Sequence, residues 1–313
     1  MNTVTRIATL TATLCAGAMA ATTTTDAHAS GYTETQYPIV LAHGMAGFDA
    51  LFGVFEYFPG IPEALEEDGA WVFVTEVSQF NETDVRGEQL LAQIEEIVAI
   101  TGAPKVNLIG HSHGGLDSRY VASVRPDLVA SVTTVGSPHQ GAELADVVRD
   151  LLQEGSLAES ALASVAGGLG TLLALLSGND DPQDALGTLY ALTGEGTADF
   201  NADHPQGLPS SWCGEGPAEQ AGVYYFSWSG TKPITNIFDP SDLLFGLTSL
   251  VYSEANDGVV GRCSSHLGTV IRDDYPQNHL DEVNQTLGLV SWFSVKPKTL
   301  YRQHANRLKN LGL

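Results

Sequence analysis

The sequence predicts an α/β fold with a mostly parallel central sheet and helices on both faces. Short, continuous apolar runs recur along the chain, and segments with helical spacing follow several of them. Continuous apolar runs are typical of strands buried on both faces, and strands that alternate with helices form parallel sheets. No linker divides the 313 residues, so we expect a single domain over residues 30–313.

The predicted strands are four apolar runs, at Tyr37–Ala42, Trp71–Val74, Val106–Ile109 and Val129–Val135. The first run ends in the glycine loop His43–Gly47, which is how a buried parallel strand usually ends. The helical segments are Arg86–Ile100, with apolar residues on one face, and Leu116–Val124, directly after the third run.

The N-terminus has the pattern of an export signal. Arg6 follows the start, and Ile7–Ala20 carries no charge. Ala27-His28-Ala29 provides an A-x-A cleavage site, with Ala18-Met19-Ala20 as the competing site. The apolar run is shorter than the roughly 18 residues that a membrane anchor needs. We therefore expect a signal peptide over residues 1–29 and a secreted mature chain.

A long uncharged segment lies in the middle of the chain. Ser160–Asn179 holds no charged residue, a length that could span a membrane. Gly167-Gly168-Leu169-Gly170 interrupts it, and a span there would put the chain on both sides of its own sheet. We favour a helical lid over residues 150–180, with Leu157–Leu176 as its apolar part.

Composition limits the classes of partner. The formal charge is −23, from 14 Lys and Arg against 37 Asp and Glu, and no basic cluster offsets it. Phosphate backbones would repel such a chain, so we expect no nucleic-acid partner. After signal removal, Cys213 and Cys263 are the remaining cysteines. Two cysteines in an exported chain usually pair, and neither belongs to a C-x-x-C that would favour zinc.

The pentapeptide Gly110-His111-Ser112-His113-Gly114 matches G-x-S-x-G. The match alone is a weak signal, but here a buried-looking strand precedes it and a helical pattern follows. This context places Ser112 on a sharp strand-to-helix turn, which the flanking glycines allow without side-chain clashes. Ser112 is therefore the candidate nucleophile.

A serine hydroxyl needs a base to take its proton, and the base needs an acid to orient it. In proteins with this turn, the acid and then the histidine follow the serine along the chain. His279 ends the turn-rich segment Asp273–His279, late in the chain, where a base is expected. His266 also lies in a polar loop, so it is the rival candidate.

The candidate acid is Asp257, which follows the strand-like segment Ser249–Tyr252. Asp239 and Asp242 compete with it, because each lies in a polar loop between Ser112 and His279. A single Asp in a loop is more often a turn former than a catalytic residue. Local sequence therefore leaves the choice of acid open.

The oxyanion of an acyl intermediate needs backbone N–H donors. These usually come from the residue after the nucleophile and from the loop after an early strand. Here His113 provides the first, and the loop His43-Gly44-Met45 provides the second. A simple turn is the alternative interpretation of that loop.

Three stretches together closely resemble the secreted triacylglycerol lipases of the Pseudomonas and Burkholderia type, which have the α/β-hydrolase fold. They are Tyr37–Met45, Val106–Gly115 and Asn278–Gln285, and the resemblance extends from about Tyr32 through Arg307. The chain departs from this family at Leu116-Asp117, where its members have smaller or uncharged residues. Its strong acidity is a second departure.

The resemblance implies a catalytic triad of Ser112, Asp257 and His279, which decides between the two histidines. It also implies oxyanion donors at Met45 and His113. The disulfide of the family matches the two cysteines predicted to pair.

The resemblance further implies a structural Ca²⁺ site. Its ligands would be the carboxylates of Asp239 and Asp281 and the backbone carbonyls of Gln285 and Leu289. Family members also have a helical lid, commonly require a lipase-specific foldase, and leave the cell through the periplasm.

We therefore expect a monomeric triacylglycerol lipase that hydrolyses acylglycerol esters at a lipid–water interface through an acyl-enzyme. A carboxylesterase or polyester depolymerase with the same triad is the closest alternative, but a water-soluble ester needs no apolar lid. An exported binding protein on an inactive hydrolase scaffold is a third hypothesis. The intact triad argues against it.

Overall fold

The computed structural model describes residues 31–45, 50–51, 55–153 and 184–313. The predicted signal peptide and the apolar lid segment Leu157–Leu176 lie outside these residues. Within them, seven strands form one sheet in which nearly every pairing is parallel. The predicted fold class is confirmed.

The strands are β1 (Ile39–Ala42), β2 (Ala50–Leu51), β3 (Phe55–Glu56), β4 (Val72–Thr75), β5 (Val106–His111), β6 (Val129–Val135), β7 (Glu219–Gln220), β8 (Val223–Gly230) and β9 (Thr269–Tyr275). The main sheet has the order β4-β1-β5-β6-β8, and β7 and β9 both pair with β8. Only β7 runs antiparallel to its neighbour, while β2 and β3 form a separate antiparallel pair.

The helices are α1 (Ile61–Glu66), α2 (Thr83–Thr101), α3 (His113–Val124), α4 (Glu143–Gln153), α5 (Ala185–Ala191), α6 (Gly194–Asp203), α7 (Ser241–Thr248) and α8 (Pro297–Asn310). Short 3₁₀ turns occur at Ser249–Val251, Cys263–Ser265, Asp281–Val283 and Thr286–Gly288. In the described ranges, none of the helices combines the length and the apolar character that crossing a membrane requires.

The sheet separates two apolar cores, because successive side chains of a strand point to opposite faces. Val40 and Ala42 of β1 pack with side chains of α2 and α3. Ile39 and Leu41, between them in sequence, pack with side chains of α1 and α8. Both faces of the parallel sheet are therefore covered, which explains why its strands read as continuous apolar runs.

Two local predictions are wrong. Ser249–Val251 is a 3₁₀ turn that continues α7, whereas the sequence suggested a strand. The hydroxyls of Thr248 and Ser249 donate to carbonyls of the preceding turn, and Leu250 is left 79% exposed. The segment Asp273–His279 is not a loop throughout, because its first three residues end β9.

The predicted disulfide is present between Cys213 and Cys263, which are 50 residues apart in sequence. Cys263 lies just before His266 and six residues after Asp257. The bond therefore connects a loop that precedes β8 to the region that carries the candidate acid.

Candidate active site

Ser112 lies at the junction of β5 and α3, at the sharp turn that the sequence predicts. Its backbone has φ 55° and ψ −127°, which a residue with a side chain rarely adopts. A Cβ on Gly110 would lie 2.2 Å from the carbonyl oxygen of Gly114. A Cβ on Gly114 would lie 2.4 Å from the carbonyl oxygen of Ala42. Both glycines are therefore required by close backbone contacts, and the turn presents Ser112 at the end of the sheet.

His279 and Asp257 form a hydrogen-bonded pair. Oδ2 of Asp257 lies 2.7 Å from Nδ1 of His279, and Oδ1 accepts from the backbone N–H groups of Val259 and Val260 at 2.8 and 2.7 Å. The backbone N–H of His279 also donates to the carbonyl of Asp257, at 3.0 Å. Because a carboxylate only accepts, this contact assigns the proton to Nδ1 and leaves Nε2 able to act as a base.

His111 connects the turn at Ser112 to the loop that carries His279. Its Nε2–H donates to the carbonyl of His279 at 3.0 Å, and the rings of the two histidines lie 4.5 Å apart. The hydroxyl of Tyr57 donates to Nδ1 of His111 at 2.7 Å. Burial lowers the pKa of His111 well below its usual value, so the ring is neutral. The loop that carries the candidate base is therefore bonded to His111, the residue next to the candidate nucleophile.

The predicted oxyanion loop also lies against Ser112. A Cβ on Gly44 would lie 2.8 Å from Cβ of Ser112, so the backbone of this loop passes at contact distance. His113 is the first residue of α3, where backbone N–H groups have no partner within the helix. The structure thus brings the loop before Met45, the N-terminus of α3 and Ser112 to one place.

The rival residues have other partners. Nε2 of His266 bonds Asp273 at 3.0 Å, and Nδ1 bonds the carbonyl of Gly214 at 2.9 Å. Asp242 accepts from the backbone N–H groups of Thr235 and Asn236, both at 2.7 Å. These side chains connect loops to one another, while Asp257 alone among the three candidate acids contacts His279.

Glu282 is a buried acidic residue beside the site that the sequence did not single out. Its Oε1 accepts from the backbone N–H of Gly230, and its Oε2 lies 3.5 Å from Nε2 of His111. Burial raises its pKa well above the usual value, and the charge of Asp257 adds to this increase. Local sequence does not distinguish Glu282 from the adjacent Asp281, so the sequence alone could not identify Glu282 as part of the site.

Asp239 and Asp281, the predicted calcium ligands, each have one buried oxygen without a partner. Oδ2 of Asp239 and Oδ1 of Asp281 accept no hydrogen bond from any residue in the described part of the chain. Burial, together with the charges of Asp239 and Asp242, raises the pKa of Asp281 to about 7. The charges of these two carboxylates repel each other, and each carboxylate has an oxygen without a partner. A cation that prefers oxygen ligands would satisfy both oxygens.

The backbone beside these carboxylates has an unusual shape. Asn284, Thr286, Leu287 and Gly288 all have a positive φ, between 53° and 70°. The predicted carbonyl ligands, Gln285 and Leu289, belong to this loop or directly follow it. The donor set that the resemblance implies would combine these carbonyls with the two carboxylates.

Known proteins resemble this chain in sequence and in fold. The family described as the alpha/beta hydrolase fold matches residues 37–282. A triacylglycerol lipase of Vibrio cholerae is 57% identical over 293 residues, which cover 92% of this chain and 94% of that protein. A triacylglycerol lipase of Pseudomonas fragi is 46% identical over 290 residues, which cover 90% of this chain and 98% of that protein.

The crystal structure of a Bacillus licheniformis lipase has the same fold, with a TM-score of 0.57 at 23% identity over 80% of this chain and 89% of that one. The fold, the geometry around Ser112 and these sequence identities all indicate the same family. The chain therefore belongs to the α/β-hydrolase fold family and, within it, to the bacterial triacylglycerol lipases, which are carboxylic ester hydrolases.

Proposed function

We propose that this protein is an extracellular triacylglycerol lipase that works through an acyl-enzyme on Ser112. The observation that carries the proposal is the pair formed by Asp257 and Nδ1 of His279, 2.7 Å apart, next to a strained serine turn. The names of the similar proteins, triacylglycerol lipases, support the substrate class.

In the proposed mechanism, Oγ of Ser112 attacks the ester carbonyl carbon while Nε2 of His279 takes the hydroxyl proton. The tetrahedral intermediate then expels the alcohol, which takes that proton from His279. Water attacks the acyl-enzyme, again giving its proton to Nε2, and Ser112 recovers a proton as the fatty acid leaves. Asp257 stays ionised and stabilises the imidazolium that forms in each half of the cycle.

The proposed oxyanion donors are the backbone N–H groups of Met45 and His113. Negative charge develops on the carbonyl oxygen in both tetrahedral intermediates, and fixed N–H dipoles stabilise it without reorganising. The N-terminus of α3 adds the favourable end of the helix dipole.

We also propose a structural Ca²⁺ ion held by Asp239, Asp281 and the carbonyls of Gln285 and Leu289. The unpartnered carboxylate oxygens support it, because a buried pair of ionised acids is costly without a cation. The ion would neutralise them and fix the loop after His279. It takes no part in any bond-making step.

Secretion, the lid and the foldase partner complete the proposal. The segment at residues 1–29 would direct export, and the Cys213–Cys263 disulfide suits an oxidising compartment. The uncharged segment near Leu157–Leu176 would form the lid. A lipase-specific foldase would assist folding in the periplasm, and the mature enzyme would act as a monomer.

The test measures hydrolysis of an emulsified long-chain triacylglycerol and of a soluble short-chain ester. The wild-type protein should hydrolyse both, with a steep rise once the substrate forms droplets, and Ser112→Ala should hydrolyse neither. Activity confined to the soluble ester would replace the lipase with a carboxylesterase. Full activity in folded Ser112→Ala would refute the mechanism.

A further inference from the structure

A buried ion pair connects the second and third helices behind the oxyanion loop. Nε and Nη2 of Arg86, on α2, donate to Oδ2 of Asp117, on α3, at 3.0 and 2.7 Å. The two side chains are 0% and 1% exposed. Burial raises the pKa of Asp117 to about 6, although the Arg86 charge opposes this increase.

The guanidinium of Arg86 also binds the oxyanion loop directly. Nη2 donates to the carbonyl of His43 at 2.9 Å and lies 3.4 Å from the carbonyl of Gly44. Nη1 donates to the carbonyl of Ser78. Asp117 therefore fixes one edge of the guanidinium, while the rest of it bonds backbone carbonyls around the loop.

The ring of His43 holds the same peptide from the other side. Its Nε2 accepts from the backbone N–H of Val77 at 3.1 Å, which places the ring proton on Nδ1. Nδ1–H then donates to the carbonyl of Gly44 at 2.8 Å. Burial and the nearby Arg86 charge lower the pKa of His43 to about 3, so near neutral pH the ring stays neutral and Nε2 remains free to accept from Val77.

We propose that Arg86, Asp117 and His43 are positioning residues that aim the N–H of Met45 at the oxyanion. The Gly44 carbonyl and the Met45 N–H belong to one planar trans peptide, so they point in opposite directions. Two donors on the carbonyl therefore fix the direction of the N–H. The inference rests on the proposed function, because it assigns Met45 as an oxyanion donor.

Substitution of these three residues should destabilise only those states of the reaction in which the carbonyl oxygen of the substrate carries negative charge. A misdirected donor weakens the transition state more than the bound ester, so kcat falls while KM stays nearly constant. Loss of a whole oxyanion donor costs ~10²- to 10³-fold in kcat, and misdirection should cost somewhat less, about 10- to 100-fold.

The first experiment compares Arg86→Lys and Asp117→Asn with Arg119→Lys. Arg119 is equally buried and lies on α3 like Asp117, but it contacts the carbonyl of His204 and the ring of His139 instead of the loop. All three variants should melt at lower temperature than wild type. Arg86→Lys and Asp117→Asn should lose about 10- to 100-fold in kcat on a soluble ester. Their Ki for an alkyl boronic acid, which forms a tetrahedral adduct on serine, should rise by a similar factor, whereas Arg119→Lys should keep wild-type kcat and Ki.

The second experiment uses His43 and applies even if Arg86→Lys does not fold. The amide N–H of His43→Asn occupies the position of Nδ1–H and should keep most of the kcat, whereas His43→Gln presents its N–H in the position of Nε2 and should lose it. Equal kcat and Ki in these two variants, or wild-type kcat in folded Arg86→Lys and Asp117→Asn, would overturn the inference. Ser112→Ala, measured alongside, keeps the two claims apart, because its activity tests the proposed function alone.

Discussion

The two halves of the site are fixed by different means. The turn at Ser112 is recognisable within five residues of sequence, by two glycines whose Cβ atoms would collide with the backbone of Gly114 and of Ala42. The loop at His279 depends on groups distant in sequence, namely Asp257 and His111. The comparison teaches that a nucleophile turn can be recognised from local sequence, whereas the placement of its base can be recognised only from the whole fold.

The largest expected effect comes from adding one methyl group to the turn. Gly110→Ala would put its Cβ 2.2 Å from the carbonyl oxygen of Gly114, so the protein should fail to fold or lose about 4 kcal/mol or more. Gly102→Ala is the control for steric collision, because no atom lies within 4 Å of the Cβ of Gly102, although Gly102 has a positive φ, 69°, and Gly110 does not. It should lose only ~1 kcal/mol in denaturant unfolding. Equal stability of the two variants would mean that local packing does not fix the turn.

Removal of the base should abolish turnover and leave the fold intact. His279→Ala and Ser112→Ala should each lose at least ~10³-fold in kcat, and the double variant should be little worse than either. His266→Ala should keep its turnover but unfold more easily, because its ring bonds Asp273 and the carbonyl of Gly214. An inactive His266→Ala beside an active His279→Ala would reverse the assignment of the base.

These assignments show where sequence reasoning stops. The strand before Ser112, the turn and α3 could be predicted from the sequence, because hydrophobic periodicity and glycine positions are local signals. Local sequence could not decide whether His279 or His266 is the base, because both lie in polar loops and only the fold brings one of them to Asp257. The roles of Arg86 and Glu282 left no sequence signal, because a buried charge is recognisable only from its partners.

Acid should destabilise the fold through buried histidines, three of which, His43, His111 and His113, lie around the turn at Ser112. Burial lowers the pKa of His43 to about 3, and it lowers those of His111, His113, His139 and His304 well below their usual value. These folded pKa values lie below the unfolded value of about 6.5, so the stability they contribute is fully present above that pH and is lost as the pH falls. The loss is up to ~1.4 kcal/mol per pH unit for each histidine.

Buried acids oppose this loss, because Asp117 and Glu282 have raised pKa values and bind protons in the folded state. Denaturant unfolding at pH 8, 7, 6 and 5 should still show a steep decline below about pH 6. His304→Gln removes one titrating group far from Ser112 and should reduce the slope by about one proton. A free energy of unfolding that is flat from pH 8 to pH 5 would contradict the account.

Removal of calcium should affect the His279 half alone, and its effect should be smaller than those of the three changes above. At a hundredfold excess over its Kd, the ion would stabilise the fold by about 2.7 kcal/mol, so chelation should lower Tm on the order of 5 °C. Asp239→Ala and Asp281→Ala should abolish this difference. The same Tm in excess chelator and in excess Ca²⁺, together with no metal by elemental analysis, would mean that the site does not exist.

The central claim is that Ser112 is the nucleophile and His279 its base, and covalent labelling tests it most directly. A long-chain alkyl phosphonate should react once per chain, with the adduct located on Ser112 by peptide mass spectrometry and hydrolysis lost in proportion. His279→Ala should react at least about 10³-fold more slowly, because no base takes the serine proton. Inactivation with the adduct on any other residue, or equally fast labelling of His279→Ala, would contradict the account.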